Sequence, residues 1–147
     1  MTYDYREKKT VIAVASELAI GTAANVIGHL ALSVGNRIDP QDMGCSPIVD
    51  ATGIRHMGIS KYPVIVVTVK TSRLKKLIAE ARTVPTLFIA DFPEQMLDTA
   101  HDDELVKSLG EISEVDIRYV GIALHGSTAE LQNLTGKFTL WGPHLST

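Results

Sequence analysis

Four stretches of the chain are apolar on both sequence parities, and turn-forming residues bound each of them. They are TVIAVASE (Thr10 to Glu17), YPVIVVTVK (Tyr62 to Lys70), TLFIADF (Thr86 to Phe92) and VDIRYVGIALHG (Val115 to Gly126). Short runs of this kind, rich in β-branched residues, predict strands covered on both faces, as inside an α/β sheet. Between them the apolar period lengthens to that of a helix. From Thr22 onward, Ala23, Val26, Ile27, Leu30, Ala31 and Val34 form one stripe, and Gly35-Asn36 can close it. A second helix is predicted in SRLKKLIAEART on Leu74, Leu77, Ile78 and Ala81, with Thr71 or Ser72 as its cap. PEQMLDT and HDDELVKSLGE predict two further helices. TAELQNLTG predicts a last one, capped by Ser127 or Thr128 and ended by Gly136.

The remaining segments are short. IVDATGIRHMGI (Ile48 to Ile59) predicts a small hairpin around Asp50-Ala51-Thr52-Gly53, RIDPQDMGCSP a loop, and FTLWG a terminal strand or edge segment. Strands alternating with helices predict one α/β domain over residues 1–147. The expected architecture is a three-layer α/β/α sandwich around a mixed sheet of about four main strands.

Composition narrows the function classes. The formal net charge is -3, so the chain lacks the broad basic face that nucleic-acid phosphates require. The one basic run, Arg73 to Arg82, reads most simply as a solvated helix face. Cys45 is the only cysteine, which excludes an internal disulfide and fits a reducing compartment. No apolar run approaches the roughly 20 residues of a membrane span. The polar start, MTYDYREKKT, lacks the order of a signal peptide. A cytoplasmic location without membrane attachment is the expectation.

Candidate chemistry lies where strands end, because ligands of open α/β sheets sit outside the strand carboxyl ends. The first strand runs into Gly21-Thr22, the third into Asp91 and the fourth into His125-Gly126-Ser127. Thr22, Asn25 and His29 share one helical stripe beside the apolar one. Free amides and the positive dipole end of that helix would favour an anion, and Gly21 would let it approach the backbone. The simpler reading of Thr22 is an N-cap. Asp91 closes an apolar strand, where partial desolvation can suit a carboxylate to proton transfer. A turn or cap ahead of Pro93 is its plain alternative. No metal-ligand spacing, nucleophile elbow or phosphate loop is present, and neither a metal nor a cofactor is expected.

These residues carry a resemblance. The stretch ELAIGTAANVIGHLA resembles the loop and helix D-x-K-M-G-K-G-K-x-A-A-Q-x-x-H-A of the type 2 peptidyl-tRNA hydrolases. Gly21 matches the second glycine and His29 the histidine. TLFIAD ends in Asp91, as a strand of that family ends in Asp, and GIALHGSTAELQNLTGKFTLWG keeps the layout of its last strand, helix and tail. The central hairpin and the Asn-Val-x-x-His-Leu helix resemble most an uncharacterised bacterial branch of that superfamily.

The resemblance implies the superfamily's fold and a site at the positions of Gly21, Thr22, His29, Asp91 and Gln95, to which the helical stripe adds Asn25. The chain also departs from the hydrolases. The lysine after the second glycine is Thr22, the glutamine of A-A-Q is Val26, and the threonine after the strand-ending Asp is Gln95. A neutral hydroxyl replaces a cation where a charged contact would be about twice as strong. That replacement and the acidic balance argue against a tRNA substrate.

Three function classes follow. The first is a protein that binds a small polar or anionic molecule at the first strand-helix turn. The second is an ester or amide hydrolase acting on peptidyl-tRNA or a related acyl substrate. There, Asp91 and His29 would be the catalytic pair, and Gly21, Thr22, Asn25 and Gln95 would bind the substrate. The third is an interaction module that forms a homodimer.

Overall fold

A strand buried on both faces needs a partner on each edge and a helix over each face, and the first strand has all of these. The computed structural model describes residues 2–143. Strand β1 (Lys8–Ala15) is followed by α1 (Ile20–Arg37), β2 (Ile48–Val49), β3 (Arg55–His56), β4 (Val64–Val69), α2 (Thr71–Ala81), β5 (Phe88–Pro93), α3 (Gln95–Asp98), α4 (Asp102–Gly110), β6 (Tyr119–Ser127), α5 (Thr128–Thr135) and β7 (Thr139–Leu140). Five strands form one sheet in the order β5-β6-β1-β4-β7. β1 and β4 are parallel; the other pairs are antiparallel. The sheet is mixed, as expected. It has five strands rather than about four because the FTLWG segment pairs Thr139 and Leu140 with β4.

Register decides which side chains meet which helix, since directly paired residues share a face of the sheet. Thr10, Ile12 and Val14 of β1 stand opposite His125, Ala123 and Gly121 of β6. This face carries α1: a Cβ on Gly121 would lie 2.8 Å from Val26 Cγ1 and 3.0 Å from Leu30 Cδ1. Lys9, of the other parity, reaches Gln132 of α5 at 3.2 Å. Helices therefore cover both faces, and Val11 to Ala15 are all buried between them.

Two helix starts differ from expectation. α1 begins at Ile20 with Ala19 as a cap that makes no side-chain hydrogen bond. Gly21 and Thr22 thus lie inside its first turn, and Thr22 is not the N-cap. The acid just ahead of it, Glu17, serves another helix. Thr71 donates both its amide N–H, at 3.2 Å, and its hydroxyl to the Glu17 carboxylate. A carboxylate at a helix N-terminus meets orphan amides and the positive dipole end. Glu17 replaces the expected Thr71 or Ser72 cap, and Thr71 becomes the first helical residue.

The basic run on α2 is used internally. Lys75 donates to the carbonyls of Glu114, Val115 and Ile117 at 2.7–2.9 Å. It thereby holds a 3-10 turn, Glu114–Asp116, where the sequence suggested the start of the strand. Arg73 pairs with Glu80, and Arg82 with Asp91 and Glu114.

Between α1 and β4 the chain leaves the sheet as an arm bearing the β2–β3 hairpin. Its two limbs meet at glycines: Gly44 donates to the Ile59 carbonyl at 2.7 Å, and a Cβ on Gly58 would collide with the Cys45 carbonyl. Asp50 shapes the tip by accepting from the amides of Thr52 and Ile54, and Gly53 takes φ +88°. Among the described residues no helix is long and apolar enough to cross a membrane.

Gly121 is where α1 comes closest to the sheet. Replacement by valine is expected to destabilise the protein by about 1–3 kcal/mol through overpacking. Urea unfolding measures it. An unchanged midpoint would contradict the close approach of α1.

Candidate functional site

One side of α1 carries Asn25, His29 and Ser33, spaced four apart and stacked along one stripe. They border a cavity of about 330 Å³ that also takes in Phe92, Met96, Thr99 and His101. The opposite wall is the segment from β5 through α3 to the start of α4. Its backbone is pinned at two points. The Thr99 hydroxyl donates to the Gln95 carbonyl at 2.9 Å, and the Ala100 amide donates to Glu104 at 3.0 Å. These bonds hold Thr99, Ala100 and His101 toward α1. Phe92 lies beneath, its ring centroid 6.3 Å from that of His29, within the range of favourable aromatic packing. Leu30, Met96 and Leu105 complete an apolar base. Among the described lining residues there is no lysine or arginine.

The structure brings together only part of the residue set suggested by the sequence. Asn25, His29 and Asp91 all border this cavity. Gly21 and Thr22 do not, because they occupy the first turn of α1 and the cavity meets its middle. Gln95 does not line it either, although its Oε1 is buried without a hydrogen-bond partner.

Asp91 requires a correction. It pairs with Ile122, whereas Ala90 and Phe92 pair with Ala123 and Gly121 on the face of α1. Its carboxylate accordingly points to the other face, where Arg82 donates to it at 3.2 Å. Arg82 also donates to the Tyr119 hydroxyl and to Glu114, each at 3.1 Å. These bonds, Tyr119 foremost, hold its guanidinium pKa above the usual range despite opposing desolvation. The Asp91 carboxylate is therefore part of an ion-pair cluster, bonded to Arg82 rather than paired with His29 as the sequence suggested.

A second polar centre escaped the sequence. His125, which the sequence placed at a strand end, is 7% exposed and bonded through both ring nitrogens. Nε2 lies 2.8 Å from Asp42 Oδ2 and Nδ1 lies 2.8 Å from Thr10 Oγ1. A carboxylate only accepts, so Nε2 carries a hydrogen; with Nδ1 bare, the Thr10 hydroxyl donates to it. Lys8 donates to both oxygens of Asp42, at 2.9 and 3.2 Å. Burial pushes the Asp42 carboxyl pKa up, but the hydrogen bonds from His125 and Lys8 outweigh it and hold the value below the ordinary 3.8. The bond to Asp42 in turn raises the Lys8 pKa.

Cross-strand pairing explains Thr10 with His125. Nothing local predicts Asp42, which lies 83 residues from its histidine. The only sequence signal was Asp39-Pro40-Gln41-Asp42, where Asp39 caps a short 3-10 turn and leaves Asp42 turned inward. The network clamps the base of the arm to the sheet. Among the described residues, no cluster of three or more His, Cys, Asp or Glu side chains is placed to hold a metal ion.

Comparison with known proteins places this chain in a family. Residues 8–142 match the family model described as protein of unknown function (DUF2000), and the chain belongs to that family. No curated protein matches the sequence. A solved structure of a protein of unknown function from Agrobacterium tumefaciens strain C58 is similar in fold. It has a TM-score of 0.79 and 20% identity, and the alignment covers 92% of this chain and 98% of that one.

Removing the Asp42 carboxylate leaves both His125 and Lys8 without their acceptor. Asp42→Ala is expected to cost about 2–4 kcal/mol at neutral pH. Because the folded-state pKa of Asp42 is depressed, its contribution is complete above the unfolded value and is lost as pH falls through the folded one. The stability difference between wild type and variant in urea unfolding should therefore be largest near pH 6 and shrink progressively as pH falls below the ordinary 3.8. A gap that stays constant over this range would contradict the assignment.

Proposed function

We propose that this DUF2000 protein binds a small uncharged polar molecule with an apolar portion, in the cavity between α1 and the α3–α4 segment. The observation that carries the proposal is the stripe Asn25, His29 and Ser33 set along one wall, opposite Thr99 and His101. These five side chains offer amide, imidazole and hydroxyl groups that both donate and accept. Leu30, Phe92, Met96 and Leu105 supply apolar surface. A volume of about 330 Å³ falls at the small end of ligand pockets, and a few convergent polar groups over an apolar base are their usual lining.

The chemistry of the lining favours a neutral ligand over an anion. Asp102 contributes a carboxylate and the lining residues contribute no permanent cation. The first turn of α1, where an anion would find free amides, lies apart from the cavity. Hydrolysis of the peptidyl-tRNA kind is the weaker reading. It would draw on a carboxylate that Arg82 already holds and on a lysine whose place Thr22 takes.

Thermal-shift screening against small neutral polar fragments tests the proposal. A fragment present at ten times its Kd adds about 1.4 kcal/mol, or about 3–6 °C in a domain of this size. His29→Ala and Asn25→Leu, both at exposed positions, are expected to abolish that shift while leaving the unliganded Tm within about 2 °C. The proposal fails if no fragment stabilises the wild type, or if hits stabilise both variants equally.

A further inference from the structure

The arm between α1 and β4 exposes apolar side chains that nothing among the described residues covers. Met57 is 82% exposed, Ile59 79%, Ile54 58%, Val49 55% and Ile48 53%. They follow one another along a single excursion, unlike the scattered exposed apolar residues of an ordinary surface. The hairpin beneath them has only two residue pairs, Ile48 with His56 and Val49 with Arg55, and no third strand. A lone two-stranded ladder is marginal in water.

From these features we propose that the arm is the surface through which two copies of this chain pair. Three observations favour a second copy over a different partner. Self-association brings together two chains of net charge -3, so it needs a contact free of like charges. Both limbs meet that need: residues 43–49 and 57–60 contain no Asp, Glu, Lys or Arg. At the tip, the Asp50 carboxylate is already hydrogen-bonded within the hairpin, its Oδ2 3.0 Å from His56 Nε2.

Second, the outer edge of β2, which lies within the uncharged limb, has no neighbouring strand among the described residues. An edge set antiparallel to its own copy is complementary about a two-fold axis, whichever residue the axis crosses. Third, at these exposures the arm leaves on the order of 500 Å² of apolar surface in water. That is most of the roughly 800 Å² each partner contributes to a standard interface.

Sedimentation equilibrium of the full chain at micromolar concentrations tests the proposal. The wild type should show twice the 15.9 kDa chain mass. Met57→Asp and Ile59→Asp should halve that mass with an unchanged far-UV spectrum, because both side chains lie outside the packed core. Val106→Asp, at an equally exposed apolar position on α4, should remain dimeric. A monomeric wild type, arm variants that stay dimeric, or a monomeric Val106→Asp would each overturn the proposal.

Discussion

The antiparallel ladder joining β5, β6 and β1 decides on which face of the sheet Asp91, His125 and Thr10 can act. Paired residues share a face, so the register that sets Gly121 beside Val14 also sets Phe92 and Ala90 toward α1. The same register sends the Asp91 carboxylate through to the opposite face. A shift of one residue would exchange the two sets, placing a carboxylate next to His29 and an aromatic ring next to Arg82. Gly121 reinforces the arrangement, because only a residue without a side chain lets Val26 and Leu30 settle at that height over the sheet.

Two polar centres flank the sheet and differ from the cavity in one respect: they are internally satisfied. Asp91, Arg82, Tyr119 and Glu114 bond to one another. Lys8, Asp42, His125 and Thr10 form a second closed chain. In the second set Thr10, Asp42 and His125 are buried, so it has little left for a ligand and breaking it leaves buried polar atoms unpaired. No such hydrogen-bonded chain ties together Asn25, His29 and Ser33. This contrast, more than residue type, separates structural polar groups from candidates for binding.

Much of the fold was legible in the sequence. Continuous apolar runs identified β1, β4, β5 and β6, because strands flanked by helices on both faces carry mainly apolar side chains on both parities. The Leu74, Leu77, Ile78, Ala81 stripe identified α2, and all four are buried. Of the site, helical spacing placed Asn25 next to His29, and the strand-end rule placed Asp91 nearby. The side chain of Asp91 was misread because facing depends on register, which a strand sequence alone does not contain. Long-range bonds were equally hidden: Glu17 caps a helix 54 residues away, and Asp42 orients a histidine 83 residues away. Residues such as Gly21 and Thr22, which resemble a familiar loop, instead became ordinary first-turn residues of α1.

The central claim is that open polar chemistry is concentrated between the middle of α1 and the α3–α4 segment. Amide chemical-shift mapping of the isotope-labelled protein, titrated with a mixture of small neutral polar fragments, tests it most directly. The account predicts saturable shifts concentrated at Asn25, His29, Ser33, Thr99 and His101. Shifts centred instead on Lys8, Asp42 and His125, or on Gly21 and Thr22, would contradict it.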